Sequence, residues 1–391
     1  MLGAIIGDIV GSRWEFNPTN DYDFELFSNK NSYTDDTICT IAVANALLHG
    51  SNDYGKYIHE WCRRYPHPMG GYGGRFAGWV RSDNPQPYKS FGNGSAMRVS
   101  SVGWWFQNER EVSSAAEKSA ACTHNHPEGI KGAQTVALAI FRARQFGDEA
   151  SKHVEEILAE CVESSGYDIN IKKEDVLNKF DETCQGTVPV ALWIIGESTS
   201  FEDAVRKAVS LGADADTLGA IVGSIAEAIW GIPEWIKRKA LSYLPEEMKA
   251  VVKEFHKQVK SKTIYPGDYV KFADKYIGYF ENEFSNTGES YYWFFDGEEF
   301  PRDCELLGFE MDCGQSFVLV YGEECKDVKG LKANMDKISS IQILGNGLYS
   351  MWRYFNHWSF SHAGEDDRAW FLAALYRLKE LANKPKCNEH S

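Results

Sequence analysis

The chain has 391 residues, 43% of them hydrophobic and 25% charged, ordinary values for a globular protein able to bury a sizeable core. Its net charge of −15 argues against broad contact with a nucleic-acid backbone or an anionic membrane surface, since both select basic faces. Nine dispersed cysteines with no CxxC pair read as reduced thiols, not as a disulfide framework or a zinc site.

The first stretch, "MLGAIIGDIVGSRWEF", is apolar but lacks a basic start and is interrupted by Asp8. It does not read as a signal peptide, and a cytoplasmic protein is expected. Asp8, a lone acid on an apolar helix, reads as an anchor that hydrogen-bonds a loop. Amphipathic spacing recurs in "SAAEKSAACTH", "IKGAQTVALAIFRARQF", "KHVEEILAECVES", "SFEDAVRKAVSLG" and "PEEMKAVVKEFHKQV", with Gly- and Pro-bearing loops between. Residues 1–265 are therefore expected to form an all-α orthogonal helical bundle. The longest small-apolar run, "LGAIVGSIAEAIWGI", carries Glu227 and is too short to span a bilayer.

Composition shifts at "TIYPGDYVKF" (263–272). The runs "SYYWFF", "QSFVLVYG", "SSIQIL" and "MWRYFNHWSF" are aromatic and β-branched and read as strands. The GNG of "ILGNGLYSMW" reads as a β-turn. A helix, "EDDRAWFLAALYRLKELANK", closes the chain. Residues 266–391 are expected to form a smaller α+β domain whose aromatics are chiefly core, with a protein partner as the other use of that surface.

Two helix starts carry the chemistry. "YTDDT" places Thr34, Asp35, Asp36 and Thr37 where a helix begins. Alone this is a capped, acid-rich first turn. "GADADTLGAIVGSIAEAIWG" repeats the arrangement with Asp214, Asp216 and Thr217. Gly219 and Gly223, four apart, share a face on which another helix can approach closely. If the two starts converge, four carboxylates and several hydroxyls meet. Oxygen donors alone select Mg²⁺ or Mn²⁺ over zinc, and four carboxylates suit two ions.

"SFGNGSAMR" (90–98) and "THNHPEG" (123–129) are secondary candidates. Gly92 and Gly94 let a backbone approach an anion, Ser95 offers a hydroxyl, and a following helix would aim its N-terminus at the same place. His126 reads as structural, at a helix boundary. "GGYGGRFAGW" (70–79) reads as a rim loop whose aromatic could stack on a base.

The pieces "GAIIGDIVGSRWEF", "YTDDT", "FGNGSAMRV", "THNHPEGIKGA", "GTVPVALW" and "GADADTLGAIVGSIAEAIWG", in this order, resemble the ADP-ribosylglycohydrolase family over about residues 1–260. The resemblance implies an all-α fold with a two-ion Mg²⁺ or Mn²⁺ centre. It also implies cleavage between the anomeric carbon of ADP-ribose and an acceptor, usually a protein side chain such as arginine, with ADP-ribose as product. Carried over, Thr34, Asp35, Asp36, Asp214, Asp216 and Thr217 hold metal. Glu15, Asp35 and Asp36 are the acid/base candidates. Gly92, Asn93, Gly94, Ser95 and His124 line the ligand. The family's second motif commonly follows two glycines; here the pair is Gly212-Ala213, which raises the question of loop geometry. The readings left beside hydrolysis are a non-catalytic ADP-ribose sensor, an immunity protein that reverses or blocks a toxin's modification, and a general two-metal phosphoesterase.

Overall fold

Gly3, Gly7 and Gly11 recur every four residues along helix α1 (Leu2–Gly11) and fall on one face. Gly219, Gly223 and Ala215 make the matching face of α13 (Ala215–Trp230). The two faces meet backbone to backbone. A methyl on Gly7 would collide with the Gly219 carbonyl, and one on Gly219 would sit 2.6 Å from the Gly7 oxygen. Gly3 meets Gly223 and Gly11 meets Ala215 in the same way. Every residue of α1 is buried, as expected for a helix that is apolar all round.

This description comes from a computed structural model and covers residues 1–262, 264, 266–282, 297–309, 311, 328–358 and 365–383. The chain divides into two compact units, Met1–Lys262 and Thr263–Ser391. In the first, helices pack around the α1–α13 pair. Helix α2 (Asp35–Leu48) packs on α1, α3 (Tyr54–Arg64) and α15 (Glu246–Lys262). Helix α8 (Pro127–Gln145) packs on α7 (Glu109–Ala121), α9 (Val154–Ser165) and α13. Helix α11 (Cys184–Gly196) also rests on α13. Among the described residues there is no strand; one antiparallel bridge joins Gly92 and Thr183. None of the described helices is long and apolar enough to cross a membrane.

The α+β domain expected for residues 266–391 is not supported among the described residues, which hold no strand. The described parts of the second unit are helices: Pro266–Asn282, Glu299–Leu306, Val328–Lys337, Ile341–Trp358 and Glu365–Asn383. "SYYWFF" and "QSFVLVYG" lie outside the described residues. "SSIQIL" and "MWRYFNHWSF" fall largely in the helix Ile341–Trp358, whose Leu344, Leu348, Met351 and Trp352 are buried at helical spacing. Aromatic density expressed burial, and period 3.6 decided the element. The GNG is no β-turn. Gly345 lies inside that helix, where a side chain would collide with the Phe309 ring. The described aromatics Phe300, Phe309, Trp352 and Phe371 belong to one apolar core.

Candidate active site

The start of α2 is held by α1. Thr34 is the N-cap, and its Oγ1 accepts from the Asp36 amide at 3.2 Å. The buried Asp8 carboxylate accepts from the Thr34 amide (3.0 Å), Thr34 Oγ1 (2.8 Å), the Thr37 amide (3.1 Å) and Thr37 Oγ1. Burial pushes the Asp8 carboxyl up to about 6 even against these bonds. Asp8 is thus the anchor its place in an apolar helix implied, and the loop it anchors is the acid-bearing one.

The start of α13 is held from another side. Gly212 takes φ +70°, and a methyl there would collide with Asn178. Ala213 is not among the positive-φ residues. The left-handed position is Gly212 itself, so alanine at 213 costs the turn nothing of this kind. Asp214 Oδ2 accepts from Asn93 Nδ2 at 2.7 Å, and the same amide group reaches Thr187 Oγ1 at 3.1 Å. Asp216 Oδ1 accepts from the Thr217 amide at 2.9 Å. Thr217 Oγ1 donates to Asp36 Oδ1 at 3.4 Å, so the two helix starts meet.

The acids lie in a field of their own making. Burial first, and then Asp8 and neighbouring carboxylates, hold the Asp35 and Asp36 carboxyls well above their usual range. Burial and then Asp214, Asp36 and Glu15 do the same to Asp216. Asp214 rises to about 6, mainly by burial. Glu15 rises to about 7, by burial and then Asp214. A methyl on Gly70, which takes φ +78°, would sit 2.5 Å from Glu15 Oε2, so the glycine loop closes over this carboxylate. Asp36 Oδ2 and Glu15 Oε2 are buried with no hydrogen-bond partner.

As they stand, no three or more His, Cys, Asp or Glu side chains among the described residues are grouped to hold a metal ion. Like-charged carboxylates do not close on one point without a counter-ion, and such a grouping leaves out the hydroxyls of Thr34 and Thr217. The donor set still fits a hard cation: acids and hydroxyls only, with a buried carboxylate oxygen unpartnered.

The ligand candidates divide. Asn93 reaches the acids, but as the support of Asp214. Ser95 is fully buried and its Oγ donates to the Gly129 carbonyl at 2.7 Å, so its proton serves the fold. The helix after the loop, α5 (Gly94–Met97), has four residues, too short for the expected N-terminal anion site. Gly92 and Gly94 do not take positive φ. They make room for His124, whose Nε2 would lie 3.2 Å from a methyl on Gly94 and 3.6 Å from one on Gly92. His126 caps α8, its Nδ1 accepting from the Glu128 amide at 3.1 Å. The rim-loop aromatics pack inward: Tyr72 donates to the Tyr65 carbonyl at 2.6 Å, and Phe76 stacks on Trp79 with both buried. The exposed aromatic beside the glycines is Phe91, 43% accessible and 5.3 Å from the His126 ring.

Sequence reasoning missed Glu182. Its carbonyl accepts from the Asn93 amide at 2.6 Å, and its carboxylate adds to the field on Asp214 and Glu15. No local pattern in "DETCQGT" singles it out.

The sequence profile of the ADP-ribosylglycohydrolase family matches residues 1–264. The chain is 28% identical to the ADP-ribosylarginine hydrolase Tri1 of Pseudomonas putida, over 62% of this chain and 73% of that protein. It is 25% identical to human ADP-ribosylhydrolase ARH3, over 66% of this chain and 92% of that protein. A solved chain from an "ADP-ribosylglycohydrolase-related protein complex" aligns with TM-score 0.48 and 24% identity, over 66% of this chain and 97% of that one. Over two thirds of its length, this chain belongs to the ADP-ribosylglycohydrolase family.

Proposed function

We propose that this chain is a hydrolase dependent on two Mg²⁺ or Mn²⁺ ions, cleaving the bond between the anomeric carbon of ADP-ribose and an acceptor. The acceptor to try first is a protein arginine. Family membership and the names of the relatives support ADP-ribosyl hydrolysis. The observation that carries the site is the meeting of the two acid-bearing helix starts at Thr217 and Asp36.

Thr34, Asp35, Asp36, Asp214, Asp216 and Thr217 would hold the ions. Bound there, two hard cations supply an activated water and a clamp on ribose hydroxyls. The rest falls to the chain. Departure from the anomeric carbon builds positive, oxocarbenium-like charge, and a cluster rich in carboxylates favours it. The leaving acceptor needs a proton and the incoming water must lose one. Glu15, with its carboxyl near 7, can do either at neutral pH; Asp35 and Asp36 are the other candidates. Asn93 keeps Asp214 in place. Asp8, clasping Thr34 and Thr37, keeps α2 aimed at the cleft.

A panel of ADP-ribosylated acceptors, incubated with Mg²⁺, Mn²⁺ or chelator, tests this by release of free ADP-ribose. Release from none of them refutes hydrolysis, and tight ADP-ribose binding without turnover would make the protein a sensor. Undiminished release in chelator refutes the metal requirement.

A further inference from the structure

Arg98 is the largest fully buried side chain, 1% accessible. A guanidinium has donors only, and burying one is costly unless they are used. Its Nε is buried with no hydrogen-bond partner, and its bonds are made by Nη2, which donates to the Ser119 carbonyl and to Thr123 Oγ1, both at 2.8 Å. Thr123 Oγ1 in turn lies 2.6 Å from His124 Nδ1. The Thr123 carbonyl also receives the amides of Tyr88 (3.3 Å) and Ser90 (3.4 Å). One residue therefore ties the ring of His124 to the segment leading into the Gly92–Gly94 loop.

Oγ1 keeps a second lone pair beside the one Arg98 occupies, so proton counting allows either direction for the Thr123–His124 bond, and acceptor strength decides it. Thr123 has one hydroxyl proton, and Arg98 already occupies a lone pair of Oγ1. The strongest acceptor within reach is a bare imidazole nitrogen. The neighbouring Cys122 sulfur is a weak acceptor, and its own thiol points to the Ser119 carbonyl at 3.3 Å. The Arg98 charge, one hydroxyl away, disfavours a proton on Nδ1. Burial, with Arg98 and Arg75, also holds the ring well below its usual titration range. That leaves the proton on Nε2, the atom facing Gly92 and Gly94.

We propose that Arg98 and Thr123 are positioning residues that lock His124 as the neutral Nε2–H tautomer, so that it offers one fixed hydrogen-bond donor to an oxygen of the ligand at the Gly92–Gly94 loop. The choice of ligand rests on the ADP-ribose reading above; the tautomer does not. Such a donor keeps its strength across the physiological range because the ring does not charge there.

The full-length protein labelled with ¹⁵N-histidine decides it. Long-range ¹H–¹⁵N spectra distinguish the two tautomers, and His124→Gln assigns the signals. The expected result is a protonated Nε2 and a bare Nδ1 in the unliganded protein; a protonated Nδ1 overturns the proposal. In Thr123→Val the tautomer preference should be lost and ADP-ribose affinity should fall about tenfold, the worth of one well-placed hydrogen bond. Thr123→Ser should restore both. A Thr123→Val protein with the wild-type tautomer and affinity also overturns it. Should that variant not fold, Thr123→Ala is read the same way, and the wild-type spectrum stands by itself. If the wild type shows the Nε2 proton yet binds no ADP-ribose, the ADP-ribose reading fails while the tautomer assignment holds.

Discussion

Thr217 Oγ1 donates to Asp36 Oδ1 across 3.4 Å, although 181 residues separate them. The bond joins the first turns of α13 and α2. Around it, burial first and then neighbouring carboxylates raise the proton affinity of Asp35, Asp36, Asp214, Asp216 and Glu15. A fold does not gather such a group for stability, because each ionised member costs the native state.

Neutralising one acid should therefore separate stability from activity. Asp36→Asn and Asp216→Asn are expected to lower ADP-ribose release by on the order of 10²-fold or more, the scale for losing a preorganised electrostatic group. In chelator, the same variants should melt higher than wild type, by about 2–4 °C per kcal/mol relieved. Differential scanning calorimetry with and without Mg²⁺ checks this. A variant less stable than wild type in chelator would contradict the repulsion.

The pH dependence has a defined sign. Glu15 rises from 4.5 to about 7 and Asp214 from 3.8 to about 6, so the native state binds more protons than the unfolded one between these limits. Stability in chelator should fall as pH rises from about 4 to 7, since the slope follows the difference in bound protons. Saturating Mg²⁺ or Mn²⁺ should flatten the slope. A melting temperature that rises through this window in chelator, and does so equally in Asp216→Asn, would count against the cluster as its source.

The α1–α13 contact has no room for a methyl. Gly7→Ala and Gly219→Ala are expected to destabilise by about 1–3 kcal/mol, as overpacking does, because backbone atoms and not a flexible side chain stand in the way. Urea midpoints measure the loss. Activity should drop with it, because α1 carries Asp8 and α13 carries Asp216. A neutral substitution at both sites would mean that the helices can part without consequence.

Glu227 binds the other end of α1. Its Oε2 accepts from the Met1 ammonium at 2.5 Å and from the Gly3 amide at 2.8 Å. Burial works against both charges and lowers the Met1 ammonium from its usual value of 8.0, yet the ammonium and His256 bring the Glu227 carboxyl down to about 2. A depressed carboxyl stabilises above its unfolded value of 4.5 and loses that stabilisation as pH falls toward 2. Glu227→Gln should cost about 3–5 kcal/mol at neutral pH, the scale for breaking a buried pair, and should remove the share of the acid-side loss of stability that Glu227 contributes. Chemical denaturation at pH 7 and pH 3 reads both effects.

Several features of the site were legible in residue order. Thr34 caps α2 as the "TDDT" pattern implies, because an N-cap is a contact between residues two or three apart. Gly219 and Gly223 mark a close approach because spacing by four shows on any helix face. The motif pair also carried the family resemblance, which the profile match over residues 1–264 supports. The role of Ser95 was not legible, for the opposite reason. Small polar residues near a helix look alike in sequence whether they face a cleft or, like Ser95, the Gly129 carbonyl.

The sequence by itself determined where the two acid-bearing helices begin, at Thr34 and Asp214, which residues bear charge, and that only oxygen donors stand in the two motifs. These are matters of local backbone and side-chain chemistry. Tertiary structure decided that Asp36 and Thr217 meet, that Asn93 serves Asp214, and that Glu182 adds to the same field. Such outcomes depend on which faces find each other between segments distant in the chain, and burial energy is indifferent to sequence separation.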